Sequence, residues 1–332
     1  MSDELPSSPR RSSLVRRSGY VVGGILLCAA AVYFVANPSE LGSFFDQMLR
    51  APVWAIVLVL LGPILNWIFV SQCLWALNRR HGEIARLEML ALVGSAWLLN
   101  HLPMRPGLVG RIGYHAKVNQ IRVRDSVEAS VWSLVHAIIA NAIGLGLALL
   151  ISPGVGIAQI ALILSIPIYV LVIAAMLAET KSDQLGLMIR GLMWRYADLL
   201  VWMLRYAAAF AMLGVEITPL QIVLVTAVSQ AAQVIPITGG GIGFREWGVG
   251  LAATMSKGTA VIDMRTAIGA DLINRVAETI IVVPLGLWCT TIVTRRFRAA
   301  MKERGLPEDE PVRHPEQEDD AGHPREQHPT DD

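Results

Sequence analysis

Charge is the scarcest property of this sequence. Only 17% of its 332 residues are Asp, Glu, Lys or Arg, against roughly a quarter in ordinary soluble domains. The net charge is +1, so the chain lacks the basic excess that neutralises a phosphate backbone, and no nucleic-acid partner is expected. Cysteine is equally sparse. Cys28, Cys73 and Cys289 lie in apolar runs at unrelated spacings, which excludes a disulfide framework and a cysteine zinc site and marks them as buried thiols. Catalytic strings are missing as well: there is no H-E-x-x-H, no G-x-S-x-G, no Walker loop and no carboxylate-rich metal cluster. No metal, no cofactor and no recognisable enzymatic motif is therefore expected.

What the chain has is hydrocarbon. It is 54% hydrophobic with a mean hydropathy of +0.50, and several runs reach the roughly 20 residues a spanning helix needs. Lipid offers no partner to an unpaired backbone group, so an unclosed chain of this kind spans as helices. The expected fold is an all-α polytopic membrane protein, with spans near 19–36, 52–78, 126–150, 157–178, 196–214 and 266–293. Residues 1–18 are basic and Ser/Pro-rich, and residues 299–332 are acidic and rich in His and Pro; both are expected to be disordered. Residues 19–298 form the membrane domain. Arg10, Arg11, Arg16 and Arg17 precede the first run, but the residues after them fit a twin-arginine signal poorly, so a retained first helix is expected.

Two further apolar runs, 86–102 and 219–235, are shorter, and each ends in a proline followed by glycines. The basic stretches set orientation. The N-terminal arginines, Arg79 and Arg80, the stretch from Lys181 to Arg195, and Arg295 to Arg298 are expected on the cytoplasmic side, with both termini. So is the stretch carrying Arg105, Arg111, Lys117, Arg122 and Arg124. Residues 86–116 then start and finish on one side, which requires a re-entrant hairpin turning at residues 103–107. The second short run is expected to enter from the opposite face, turn at its glycines and return over 247–256.

The two turns align. LPMRPGLVG (102–110) and IPITGGGIG (235–243) match without gaps at the 133-residue separation of Pro103 from Pro236. Gly107 and Gly110 fall on Gly240 and Gly243; farther along, Tyr114 meets Trp247 and Asn141 meets Asn274. Each half reads as helix, helix, hairpin, helix, the first over about 19–150 and the second over about 157–293. With hairpins opening to opposite faces, this is an inverted-topology repeat, a transporter signature in which broken segments mark a midplane site.

A hairpin tip inside a membrane leaves N–H groups to satisfy. Glycines permit close approach, proline ends the descending helix, and the returning helix aims its N-terminal N–H groups at the tip, where an anion is favoured. Arg105, Gly107, Gly110 and Arg111 at one tip, and Pro236, Gly239, Gly240, Gly241, Gly243, Arg245 and Glu246 at the other, are the candidate substrate-binding residues. The competing expectation is that the glycines serve packing and that Arg245 pairs with its neighbour Glu246. Asp271, Asn274, Arg275 and Glu278 add a polar face in the last span, and charges at such depth face a cavity or one another. Glu128, Trp132 and His136 share a face of another span, while Asp198 and Arg205 lie about two turns apart in a third.

In the LPMRPGLVGR and PITGGGIGFREW turns, and in their order within a hydrophobic chain, the sequence resembles the lysylphosphatidylglycerol synthase transmembrane, or flippase-like, family over about residues 19–298. The resemblance implies a bacterial inner-membrane protein that moves or presents lipids. Past Arg298 only about 34 residues remain, so no soluble aminoacyltransferase domain is expected. The leading expectation is a lipid translocase for a polar or anionic headgroup, with a membrane phospholipid or other lipid-linked molecule as substrate. The alternatives are an intramembrane enzyme, using His115 or His136 with Glu128, and an accessory scaffold of a lipid-modifying complex. A homodimer and a lipid-modifying enzyme partner are compatible with each.

Overall fold

The computed structural model describes residues 50–101, 106–151, 155–234, 244–255 and 262–304. Every regular element among them is an α-helix: α1 (Val53–Asn78), α2 (Arg86–Leu99), α3 (Pro106–Lys117), α4 (Val123–Leu150), α5 (Ile157–Glu179), α6 (Asp183–Met212), α7 (Pro219–Val234), α8 (Phe244–Met255) and α9 (Met264–Glu303). The first expected span, 19–36, lies outside the described residues.

Four helices, α1, α4, α5 and α9, are long and apolar enough to cross a membrane. The burial pattern agrees with a lipid solvent. On α5 only Ala175 and Ala178 are buried, while Leu162, Ile166, Val170 and Ile173 are exposed. A helix apolar around most of its girth suits hydrocarbon. Polar groups lie inside instead, Asn66, Asp198, Arg205, Arg245 and Asp271 among them.

Some element bounds differ from the sequence reading. The helix expected at 196–214 begins at Asp183 and runs for 30 residues, capped by Ser182, whose hydroxyl accepts from the Leu185 N–H. Arg190 and Arg195 therefore belong to α6 rather than to a loop. This helix carries too many charges to count as a span by composition, and two of them, Asp198 and Arg205, are buried in the protein. The last helix, capped by Asp263 through the Thr266 N–H, continues to Glu303. The first residues expected to begin the acidic tail are thus helical.

The contacts at the helix ends fix the topology. Asn119, just past α3, donates to Glu88 in the first turn of α2 at 3.0 Å, and Arg296 near the end of α9 pairs with Glu88 at 3.6 Å. Arg304 Nη2–H donates to the Val118 carbonyl at 2.9 Å. The α2–α3 hairpin thus leaves and returns at the end of the bundle where α9 finishes. The α7–α8 hairpin belongs to the other end, where Ala253 of α8 shares an apolar cluster with Ala55, Met212, Ile262 and Ala267.

Pairing α1 with α6, α2 with α7, α3 with α8 and α4 with α9 sorts the contacts between helices into matched sets. The contact α1–α2 matches α6–α7, α2–α3 matches α7–α8, and α3–α4 matches α8–α9. In the same way α1–α4 matches α6–α9, α1–α9 matches α4–α6, and α2–α9 matches α4–α7.

Small residues set the closest approaches, as is usual where lipid gives helices little hydrophobic reason to associate. Gly94 of α2 receives the Cys289 sulfur of α9, Gly286 meets Leu98, and the Ser95 and Thr290 hydroxyls hydrogen-bond at 3.0 Å.

Candidate functional site

α1 and α6 pack antiparallel, and the polar centre grows from their crossing. Asn66 is the single amide in the middle of α1's apolar run. Its Nδ2–H donates to Asp198 Oδ1 at 2.6 Å, and its Oδ1 accepts from Arg205 Nη1 at 3.0 Å. One neutral side chain thereby ties an acid and a base of α6 together. Arg205 reaches this position because its stem crosses Gly62, where any Cβ would overlap it.

From Arg205 the network passes to the hairpin and to α9. Glu278 of α9 accepts from Arg205 Nη2 at 3.5 Å and from Arg245 Nη1 at 3.3 Å. Arg245, in the first turn of α8, also donates from Nε to Asp271 at 2.7 Å, and Asp271 accepts from the Tyr206 hydroxyl at 2.5 Å. Both guanidinium groups stack on Trp202, at 4.1 Å for Arg205 and 5.1 Å for Arg245, a contact strengthened by desolvation. Arg195 pairs with Asp198 at 3.0 Å and Arg275 with Glu246 at 3.1 Å. The local Arg245–Glu246 pairing weighed above is replaced by two crossed pairs that pin α8 to α9. Adjacent residues on a helix point in different directions, so each finds its partner on the neighbouring helix.

These groups border a cavity of about 240 Å³. Its wall combines the inner ends of both hairpins with the α1–α6 crossing: Asn100 and His101 end α2, Gln230 and Gln233 lie near the end of α7, Arg111 comes from α3, and Arg245 opens α8. Asn100 also accepts from the Leu108 N–H at 3.2 Å, satisfying a first-turn donor of α3 that has no partner within the helix. Arg245 is 1% exposed, yet its Nη2 has no hydrogen-bond partner among the described residues, and the same holds for Nε2 of Gln230 and Gln233. Unused donors thus gather around one polar space. A buried donor left unmade costs about 1–3 kcal/mol, so the space favours an acceptor-rich or anionic occupant.

Of the residues expected to bind substrate, Arg111, Arg245, Arg275 and Glu278 line the cavity. Glu246 and Asp271 stand behind it as partners of two of those arginines, and the Asn274 carbonyl accepts from Arg205 at 3.2 Å. Gly107 and Gly110 do not line it. A Cβ on Gly107 would overlap the Ala96 carbonyl, so this glycine serves the close approach of α3 to α2; both Gly107 and Gly110 border an outer groove. Arg105, Pro236, Gly239, Gly240, Gly241 and Gly243 lie outside the described residues. His115 bonds Asn119 at 3.0 Å and His136 packs on Gly191 of α6; neither borders the cavity.

Asn66, Arg195, Trp202, Gln230 and Gln233 also line the wall and were not singled out from the sequence. A signal was available for three of them, since each is an amide within an apolar run. Arg195 was hidden by its place at the end of a basic stretch. Among known proteins, no family model, curated protein or solved structure matches this chain.

Proposed function

We propose that the chain is a lipid translocase of the flippase-like kind, which receives a polar or anionic lipid headgroup in the central cavity while the acyl chains stay in the bilayer. One observation carries the reading. An apolar bundle gathers five arginines and four carboxylates about one cavity, with donor groups still unused. Charge at such depth is costly and marks function or a structural network; the unused donors argue for an occupant.

The inverted-topology repeat is part of this reading. It is supported by the matched helix contacts and by the hairpins opening at opposite ends of the bundle. The aligned asparagines add a local correspondence: Asn141 donates to the Ala137 carbonyl at 2.9 Å and Asn274 to the Ala270 carbonyl at 3.3 Å. In a bilayer the hairpins would be re-entrant, and α6, with residues 19–36, would complete six spans. Two opposed halves around one site give alternating access by rocking. The basic helix ends, Arg79, Arg80 and Arg295 to Arg298, favour a cytoplasmic placement of that end in a bacterial inner membrane.

The test is reconstitution of the full chain into vesicles carrying headgroup-labelled phosphatidylglycerol or phosphatidylcholine, with an impermeant reductant reading leaflet exchange. Exchange faster than in protein-free vesicles, slowed in Gln233→Leu and Arg111→Gln, is the expected result. Folded protein that accelerates neither lipid would sink the reading, and a chemically altered lipid would redirect it to an enzyme.

A further inference from the structure

A second space touches the central cavity. It is a largely apolar groove of about 430 Å³ between α2, α3 and α9, walled by Leu92, Leu99, Val293 and Phe297, with Tyr114 and Lys117 also on its lining. Ala96 and Arg111 border both spaces, so a polar cavity and an apolar groove meet at one arginine.

That arginine differs from the others. Arg195, Arg205, Arg245 and Arg275 each pair with a carboxylate, drawn from Asp198, Glu246, Asp271 and Glu278. These four cations and four anions balance. Arg111 stands outside the balance: it donates to the Ser130 hydroxyl at 2.8 Å and has no carboxylate partner among the described residues. Lys117 adds a second cation to the groove wall, so the junction of the two spaces favours an anion.

The groove is open where packing would have closed it. Gly107 is filled by the Ala96 backbone, but a Cβ on Gly110 or Gly113 would meet nothing within 4 Å. Each of these glycines costs a helix about 1 kcal/mol relative to alanine, and no neighbour among the described residues uses the space. An acyl chain needs such a smooth apolar trough beside the charge that holds its headgroup.

We infer that the α2–α3–α9 groove seats an acyl chain of an anionic phospholipid whose phosphodiester rests on Arg111, making this side of the bundle the lateral entrance to the cavity. The inference rests on the translocase reading for its context, but it concerns occupancy and not movement. The lipid's glycerol junction lies at Ala96, where groove and cavity meet. Its headgroup reaches toward Arg245 Nη2 and Gln233, and the fatty chain never leaves an apolar environment.

The test uses the full chain in phosphatidylcholine vesicles with phosphatidylglycerol or phosphatidylcholine spin-labelled on the acyl chain, reading the motionally restricted fraction by electron paramagnetic resonance. Wild-type protein is expected to prefer phosphatidylglycerol by about tenfold or more, the scale of a charge-assisted hydrogen bond. Arg111→Gln should bring the preference near unity, and Arg111→Lys should keep part of it. Gly110→Phe, placed in open space, should remove the restricted phosphatidylglycerol without lowering the melting temperature. Three results would overturn the inference. One is a preference that survives Arg111→Gln. Another is displacement of the lipid by water-soluble glycerophosphoglycerol or inorganic phosphate, which would identify a headgroup site with no need of the groove. The third is a Gly110→Phe protein that melts early and still holds lipid, as expected if another segment of the chain fills the groove. Leaflet exchange measured on the same samples separates the two readings: bound lipid without exchange removes the translocase and leaves the site, while exchange indifferent to Arg111 does the reverse.

Discussion

Asp271 and Glu278 sit two turns apart on α9 and both face Arg245, but they should respond very differently to neutralisation. Asp271 is 0% exposed and takes a 2.7 Å bond from Arg245 and a 2.5 Å bond from Tyr206. Replacing it with asparagine leaves a buried guanidinium facing an amide at a position that does not border the cavity. Breaking a buried pair in this way costs about 3–5 kcal/mol, and the short bonds place Asp271→Asn at the upper end. Glu278 makes longer bonds, 3.3 and 3.5 Å, and lines the cavity, where water or an anion can replace its charge. Glu278→Gln is expected to cost about half as much, since long charge-assisted bonds contribute less. The two variants should also part over ligand: added phosphatidylglycerol should restore stability to Glu278→Gln but not to Asp271→Asn. Unfolding in mixed micelles with increasing dodecyl sulfate, followed by tryptophan fluorescence, measures both. An Asp271→Asn protein as stable as Glu278→Gln, or equally rescued by lipid, would refute the distinction between a sealed pair and a cavity-lining one.

Other predictions concern packing and topology. Gly107→Ala places a methyl against the Ala96 carbonyl, and backbone yields less readily than a side chain. A loss of about 1–3 kcal/mol is expected, seen as early melting and poor monodispersity; a neutral result would show that α3 does not pack on α2 as described. In a cysteine-free background, Arg124→Cys at the start of α4 and Glu216→Cys between α6 and α7 should label with an impermeant maleimide from opposite faces of the membrane, the first from the cytoplasm. Labelling of both from one face would remove the opposed hairpins. Gln120 holds a φ of +55°, which costs a side-chain-bearing residue about 1–2 kcal/mol. Gln120→Gly should therefore stabilise the protein by up to about 1 kcal/mol, and destabilisation instead would show that the Gln120 side chain makes a contact worth more than this strain.

How far the sequence revealed these features depended on whether a local pattern carried them. The long apolar runs located α1, α4, α5 and α9 because hydropathy over about 20 residues is a local quantity. The first short run was legible through a conflict with the charges after it and the second through its likeness to the first; the structure places helix pairs α2–α3 and α7–α8 there. α6 was less legible: Arg190 and Arg195 resemble loop residues in a one-dimensional reading, but in the fold Arg190 pairs with Glu179 of α5 and Arg195 with Asp198. The same limit explains the arginine partners. Arg245 and Glu246 are neighbours in the chain, but a helix turns them apart by about 100° per residue, so each partner had to come from α9. Gly107, expected to bind substrate, stands against the Ala96 carbonyl. Nothing in its sequence neighbourhood separates it from Gly110; the difference is whether Ala96 stands opposite.

The length of α9 has a mechanical consequence. At 40 residues it is a rod of about 60 Å, twice the roughly 30 Å depth of a hydrocarbon core. Its first turns border α8, and its later turns border α2, so both hairpins bear on one beam. Pro284 stands near its midpoint, close to where Glu278 joins the beam to the α1–α6 crossing. The two hairpins are thus joined mechanically through a single helix, and a bend at Pro284, where the helix lacks one backbone hydrogen bond, would move the turns that meet α8 relative to those that meet α2.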